Sequence, residues 1–466
     1  MQQREEHLSR EMARLLRELE QSSSAWGDLL FATLQQWQLW AVAAVLVLLF
    51  GLCWWLWKSS HQPKSGSEEE SSTRNTELKE EESEEEDSDE ERDLFRIFGN
   101  HLLWSVQSLS HKSQVVEDLV DDLLAVLQEN LATSFFPVLH PAIGVGSTFE
   151  GWSPREYDAV YRLLVPLKPP HGHTFHLELG TARQTPEKNS RIRVELECTC
   201  MRDQLVENRL CFLHHPQEEL RRNPAASLLG TLCTGSYLDA VKTAQWFQNL
   251  VRSAWREEPP SRLYSMKLLP SSRSCKLQLT NDSGRNLFIE MVFGVQQGDS
   301  DIFLSSHTTE DTIPSTMWAE SYAVAEVKFF RHIATQAPHD TFHLKCLQLY
   351  AGILVDTGIS SYILKTVAMH LLNTIPLANW SRTEFLMRLE DILQYLHSCL
   401  EDKRLDHFFF GNENIPEDII LPPDFQTAEP INLLQHLVED QAAHARAVCE
   451  FNEIQDELVR LLFHGW

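Results

Sequence analysis

The sequence predicts an α+β fold in which a single transmembrane helix precedes a mixed-sheet lobe and an all-α lobe. Three observations support this fold class. Residues 39–57 carry no charged side chain, residues 156–295 contain several strand-like segments, and nearly the whole chain after Trp318 has helical periodicity. We therefore divide the chain into five parts: an N-terminal amphipathic helix region (1–36), a transmembrane helix (37–58), an acidic linker (59–93), a sheet lobe (94–310) and a helical lobe (311–466).

The N-terminal region is predicted to form a short amphipathic helix. Leu8, Met12, Leu15 and Leu19 recur at alternating four- and three-residue steps, which places them on one helical face. Weak self-association through residues 8–19 and a solvated helix without a partner are both open.

The transmembrane helix is predicted from LWAVAAVLVLLFGLCWWLW, residues 39–57, whose length is close to the ~20 residues that cross a bilayer core. Tryptophans at both ends resemble the aromatic belts of membrane helices. Lys58 and Lys64 follow the apolar run, so the positive-inside rule predicts a single-pass protein with a cytosolic C-terminal domain. The plasma membrane and the endoplasmic reticulum are both open as its location.

The charge distribution limits the classes of partner that we expect. The 466 residues carry 67 acidic and 40 basic side chains, a net charge of −27. Residues 68–93 hold fifteen of the acidic and three of the basic groups, which predicts an extended, disordered linker. Nucleic-acid binding needs clustered basic side chains, and we therefore expect no nucleic-acid partner.

The two lobes are predicted from periodicity. Strands are expected over 156–166, 174–179, 192–198, 275–280 and 287–295, with helices over 114–132 and 238–255. The helical lobe should contain helices over 319–335, 342–355, 361–373, 381–402 and 431–463, separated by prolines such as Pro338 and Pro376.

One group of polar residues in the sheet lobe suggests phosphate chemistry. A Gly-Ser turn at Gly146–Ser147 offers backbone N–H groups and a hydroxyl to phosphate oxygens. Glu156 and Asp158 lie two residues apart on a predicted strand, and such a pair can hold Mg²⁺. Glu290 is the one charged residue of the apolar strand LFIEMVFGV and is the third candidate for a two-metal site. An alternative is that Glu290 pairs with Arg162 or another base.

The motifs GVGSTFEGW, EYDAVYRLLVPL, LFIEMVFGVQ, HLKCLQLY and SSYILKTVAMHLL, in this order, resemble the Mab-21-like group of the nucleotidyltransferase superfold. Finer features resemble the inositol 1,4,5-trisphosphate receptor-interacting protein-like membrane proteins. These features are LCTGSYLDAVKTAQWFQNLVRSAW, FGVQQGDSDIFLSS and AEPINLLQHLVEDQAAHARAV.

The resemblance implies site roles. Gly146 and Ser147 would bind phosphate, Glu156, Asp158 and Glu290 would bind metal, and Lys365 would lie near nucleotide phosphates. Three departures count against catalysis: a shorter spacer between the Gly-Ser turn and the carboxylates, Glu in place of Asp at 290, and no zinc-binding insertion between His339 and Cys346.

The resemblance therefore implies a pseudoenzyme. We expect no catalytic residues and no cofactor, and a receptor-interacting signalling module for the inositol trisphosphate receptor or other membrane receptors, anchored in the bilayer through residues 39–57. The alternative is an active nucleotidyltransferase with Mg²⁺ or Mn²⁺ and a nucleoside triphosphate, or a nucleotide or inositol-phosphate sensor.

Overall fold

The computed structural model describes residue 109 and residues 111–131, 134–154, 159–180, 189–198, 228–255, 263–308, 313–338 and 341–464. These residues form a mixed β-sheet flanked by helices, followed by a run of helices. This order fits a nucleotidyltransferase-like fold.

The strands of the described residues form one sheet, β1–β3–β10–β11–β12–β5–β7–β6, with β2 on β3, β4 on β5, and β8 and β9 beside β10. Their bounds are β1 Val138–Leu139, β2 Ile143–Val145, β3 Val160–Lys168, β4 His173–Glu178, β5 Asn189–Leu196, β6 Cys233–Thr234, β7 Tyr237–Leu238, β8 Tyr264–Leu269, β9 Cys275–Asn281, β10 Asn286–Gln296, β11 Phe303–Ser305 and β12 Met317–Ser321.

The helices follow the same chain order. They are α1 (111–131), α2 Ser147–Glu150, α3 Leu228–Thr231, α4 Ala240–Ala254, α5 Ala323–Gln336, α6 His343–Ile353, α7 Ser361–Thr374, α8 Phe385–Asp402, α9 Pro423–Thr427, α10 Gln435–Glu439 and α11 Gln441–His464. Single 3₁₀ turns occupy Leu354–Asp356 and Leu377–Asn379.

Strands β3 and β10 form the centre of the sheet and run parallel, with Glu290 opposite Arg162. Strand β10 reads as a nearly continuous apolar run because both of its faces are buried. On one face, Leu163 and Phe293 belong to a large core that includes Leu123 of α1 and Phe247 of α4. On the other face, a smaller core joins the sheet to α5 and consists of Val145, Leu164, Val292, Phe303, Val324 and Val327.

Helix α4 illustrates how local sequence fixes an element. Asp239 precedes it and accepts hydrogen bonds from the backbone N–H groups of Val241 (3.0 Å) and Lys242 (3.1 Å), the pattern of an N-cap. The hydroxyls of Thr234 and Ser315 donate to the second oxygen of the same carboxylate, each at 2.7 Å. Burial acts to raise the pKa of Asp239, but these hydrogen bonds outweigh it and hold the pKa low.

The predicted membrane helix has no counterpart among the described residues. No helix in the described part of the chain is long and apolar enough to cross a membrane. The predicted span, residues 37–58, lies outside the described residues, as do the N-terminal region 1–36, with its segment 8–19, and the linker 59–93. The predicted single-pass membrane fold is thus wrong as a description of this structure, and we do not retain the bilayer contact and the membrane localisation derived from it.

Candidate functional site

The Gly-Ser turn lies where β2 ends and α2 begins. Gly146 has φ 82° and ψ 179°, a conformation that is nearly restricted to glycine, and Gly151 at the other end of α2 has φ 89°. The backbone N–H groups of Phe149 and Glu150 both donate to the carbonyl of Gly146 at 3.0 Å. A Cβ built on Gly144 would lie 2.3 Å from the ring of Phe149, so only glycine fits there.

Two cavities adjoin this turn. One of about 280 Å³ is lined by Gly146, Ser147, Thr148 and Arg162, together with apolar side chains that include Val160. A second, of about 470 Å³, extends along the 3₁₀ turn and the start of α7, from Leu354 to Ser361. Ser147, Pro154 and Val355 line both cavities. The predicted phosphate-binding pair, Gly146 and Ser147, therefore faces open space.

The described residues do not test whether the three predicted metal ligands come together. Glu156 and Asp158 lie outside them, although their chain neighbours Pro154 and Ala159 line the smaller cavity. Within the described ranges, no three His, Cys, Asp or Glu side chains are grouped so that they could hold a metal ion. Glu290 is the one predicted ligand with a described environment.

Glu290 is buried and fully engaged by cations and a hydroxyl. Its Oε2 accepts from Arg162 Nε and Nη2, both at 3.1 Å. Its Oε1 accepts from the Ser274 hydroxyl at 2.8 Å and lies 3.3 Å from Lys276 Nζ. Burial acts to raise the pKa of Glu290, but Arg162, Ser274 and Lys276 outweigh it and lower the pKa. The alternative in which Glu290 pairs with Arg162 is the arrangement that the structure has.

This environment does not suit a metal ion. A catalytic Mg²⁺ or Mn²⁺ needs carboxylate oxygens with unshared lone pairs directed at it. Both oxygens of Glu290 instead accept from cations or a hydroxyl, and the nitrogens of Arg162 and Lys276 lie 3.1 and 3.3 Å from them. Among the described residues, the group fits ion pairing and not metal ligation.

Lys365 does not line either cavity. It lies in α7 with its side chain 7% exposed, and its ammonium bonds to Glu150 Oε1 at 2.5 Å and to Glu326 Oε2. The indole N–H of Trp152 donates to the other oxygen of Glu150 at 2.7 Å. Burial acts to lower the pKa of Lys365, and the two carboxylates outweigh burial and raise it. Lys365 therefore remains protonated and holds α2, α5 and α7 together.

Sequence reasoning missed Glu150 and Glu326, which are both buried carboxylates. Glu150 belongs to the motif GVGSTFEGW and follows Ser147 by three residues, yet its partner is 215 residues away. A signal was present for Glu326, because it is the only acidic residue in the apolar stretch AVAEVKFF. A charge inside such a stretch needs a partner, which sequence alone does not name.

Comparisons with known proteins give the family. Residues 344–419 match the family model described as the Mab-21 protein HhH/H2TH-like domain. The chain is 33% identical over 410 residues to "Inositol 1,4,5-trisphosphate receptor-interacting protein-like 1" of Rattus norvegicus, covering 84% of this chain and 74% of that protein.

More distant relatives carry a related name. "Inositol 1,4,5-trisphosphate receptor-interacting protein" of Bos taurus is 27% identical over an alignment of 481 positions, gaps included, which covers 96% of this chain and 85% of that protein. The human protein of the same name is 29% identical over 365 residues, covering 73% of this chain and 66% of that protein. The resemblance found from the motifs is thereby confirmed, and the chain belongs to the inositol 1,4,5-trisphosphate receptor-interacting protein family.

Proposed function

We propose that this chain is a receptor-interacting module and does not transfer nucleotides. The names of its relatives state an interaction with the inositol 1,4,5-trisphosphate receptor. We extend that interaction to this chain, with the described domain as the part that presents the binding surface. The proposal contains no cofactor and no catalytic residue.

The observation that carries the proposal is the neutralised carboxylate of Glu290. A nucleotidyltransferase site needs its third carboxylate free to bind metal, and here two cations and a hydroxyl occupy it. Displacing Arg162 and Lys276 would leave two positive charges beside an incoming divalent cation. Like charges at such distances repel strongly in a partly buried site.

A second observation also supports the absence of nucleotide transfer. A lysine that neutralises a nucleotide's phosphates must reach solvent, and Lys365 is buried between Glu150 and Glu326. Releasing it would leave two carboxylates buried without a counter-charge, which is unfavourable by several kcal/mol. Lys365 is thus a structural residue in this proposal.

The experiment combines a turnover assay with a binding assay, both on the full chain. In the first, the protein is incubated with ATP and GTP in Mn²⁺, and products are separated by anion-exchange chromatography. Wild type, Glu290→Gln and Glu156→Gln/Asp158→Asn should all give only the background signal. A product that disappears in the carboxylate variants would overturn the assignment as a pseudoenzyme.

The second assay measures capture of the purified inositol 1,4,5-trisphosphate receptor by the immobilised full chain. We expect binding that is unchanged by EDTA and by added nucleotide, because the site does not depend on metal. No binding under these conditions would overturn the proposed interaction with the receptor and would not affect the result of the turnover assay. The two halves of the proposal therefore fail separately.

A further inference from the structure

The cluster around Glu290 carries more positive charge than its one carboxylate can neutralise. Arg162 and Lys276 both reach that carboxylate, at 3.1 and 3.3 Å, so two cations share one anion. Arg273, the residue before Ser274, donates to the backbone carbonyls of Ser306 and Pro314. Arg273 also interacts electrostatically with Asp239, so the excess rests on Arg162 and Lys276, two described cations on one carboxylate in a protein whose net charge is −27.

His307 lies close to the same charged groups. Its pKa is lowered to about 4, first by burial and then by Arg162; Glu290 acts to raise this pKa, and Lys276 and Arg273 lower it further. An imidazole surrounded by cations loses its proton more readily, because protonation would add another like charge. At this imidazole the described cations together outweigh Glu290.

The cluster has a buried side and an exposed side, and it borders a cavity. Glu290 is 2% exposed and fixes the Arg162 guanidinium through two contacts, whereas the side chains of Arg162 and Lys276 remain 40% and 42% exposed. Arg162 also lines the cavity of about 280 Å³ that begins at Gly146 and Ser147. A cation that is oriented by a buried carboxylate and exposed to a cavity is preorganised for an anion.

We propose that Arg162 and Lys276, positioned by Glu290, bind a small anion with two or more phosphate groups at the mouth of this cavity, without a metal ion. The guanidinium offers a planar pair of N–H donors that matches phosphate oxygens, and the lysine adds a point charge beside it. Two neighbouring cations favour two neighbouring phosphates. An inositol phosphate and the phosphate tail of a nucleotide share this chemistry. The site adds a ligand to the proposed module and does not depend on the receptor interaction.

The test is calorimetric titration of the full chain with sodium pyrophosphate in EDTA, with sodium sulfate at equal ionic strength as the control anion. Wild type should bind pyrophosphate in preference to sulfate. Arg162→Gln and Lys276→Gln should each weaken binding about tenfold or more, because each removes a charge-assisted contact. The matched control is Lys168→Gln, which removes an exposed cation at the far end of the same strand, β3, and should leave binding unchanged.

Glu290→Gln separates this site from a metal site. It keeps a side-chain oxygen that can accept from Arg162 and removes the negative charge that competes with the ligand, so pyrophosphate binding in EDTA should be retained or become tighter. Loss of binding in Glu290→Gln, or binding that appears only with Mg²⁺, would overturn the proposal. So would unchanged binding in both Arg162→Gln and Lys276→Gln.

Two controls keep the result interpretable. The Tm of each variant without ligand shows whether it is folded. If Arg162→Gln does not fold, Lys276→Gln still tests the proposal, because it alters only a partly exposed side chain. Titrations with inositol 1,4,5-trisphosphate and with ATP, both in EDTA, then distinguish the two sources of phosphate. Absence of binding to any of the three phosphate compounds would overturn the proposal and would leave the receptor-capture assay unaffected.

Discussion

Lys365 and Glu150 are 215 residues apart in the chain, and the ammonium of Lys365 lies 2.5 Å from Oε1 of Glu150. The contact joins α7 to the short helix that follows the Gly-Ser turn. Glu326 of α5 binds the same ammonium. The position of the turn is therefore set by the helical part of the protein as well as by β2.

The first prediction concerns this buried triad. Lys365→Met should lower the free energy of unfolding of the full chain by about 3–5 kcal/mol, because it leaves two carboxylates buried without a counter-charge. Urea denaturation followed by circular dichroism measures the change. Lys168→Met, which alters an exposed lysine, should change the value by less than about 0.5 kcal/mol.

A triple variant distinguishes lost charge pairing from lost packing. Glu150→Gln/Glu326→Gln/Lys365→Met has no charge in the triad and should recover much of the stability that Lys365→Met loses. Equal stability of wild type and Lys365→Met would contradict the structural role of the triad.

The second prediction concerns the acid limb of stability. Because the pKa of Glu290 is lowered in the folded state, its ionised form stabilises the protein fully above the ordinary value of 4.5. This contribution is lost as the pH falls through the lower folded-state pKa. Glu290→Gln should therefore be less stable than wild type by about 1–3 kcal/mol at pH 7, with a difference that narrows below pH 4.5. Denaturation series at several pH values measure this difference in stability. A difference that stays constant as the pH falls well below 4.5 would show that the pKa of Glu290 is not lowered by folding.

The third prediction concerns His343, which begins α6 and is 3% exposed. Neither of its ring nitrogens has a hydrogen-bond partner among the described residues, and burial lowers its pKa to about 4 from 6.5. Between these two values the unfolded chain binds a proton that the folded chain does not, so stability falls as the pH decreases from 6.5 to about 4. The slope is about 1.4 kcal/mol per pH unit for one such group.

His343→Leu should remove this part of the pH dependence, measured as the difference in unfolding free energy between pH 7 and pH 5. His397→Leu is the control, because it removes an imidazole that is about half exposed (51%). If both variants keep the wild-type pH dependence, His343 is not the group responsible.

The fourth prediction concerns the backbone at the Gly-Ser turn. A Cβ at Gly146 would meet no atom within 4 Å, so Gly146→Ala tests conformation and not space. It should lower the free energy of unfolding by about 1–3 kcal/mol, since φ 82° with ψ 179° is accessible almost only to glycine. Thermal unfolding of the full chain measures this loss.

Gly230→Ala provides the matched control, because its Cβ is also unobstructed and the residue is helical. It should leave stability unchanged or raise it slightly. Equal effects of the two substitutions would show that the conformation at Gly146 is not strained for alanine.

The long periodic segments were readable from sequence. The helix predicted over 361–373 is observed as Ser361–Thr374, and the strand predicted over 287–295 is observed as Asn286–Gln296. Errors occurred where tertiary contacts or caps decide the structure. The start of the predicted helix 319–335 is strand β12, in which the indole N–H of Trp318 donates to the carbonyl of Leu238. The predicted helix 431–463 is interrupted at Asp440, which accepts from the N–H of Ala442 and caps α11.

The candidate site was readable only in its local parts. The Gly-Ser turn could be predicted because it depends only on the four consecutive residues 144–147, and the structure places this turn beside a cavity. The environment of Glu290 depends on the register between β3 and β10, which places residue 290 opposite residue 162. No local pattern encodes a register between strands so far apart, and so sequence left both the metal-binding and ion-pairing roles open.

The parallel pairing of β3 with β10 has a consequence for the nascent chain during its synthesis. Arg162 and Glu290 are 128 residues apart, so β3 leaves the ribosome on the order of ten seconds before its partner exists. During this interval the apolar run Leu163–Val165 lacks the neighbour that later covers its edge. An uncovered apolar edge is a site of aggregation, and we therefore expect the nascent chain to need chaperone protection until residue 296, the end of β10, has been synthesised.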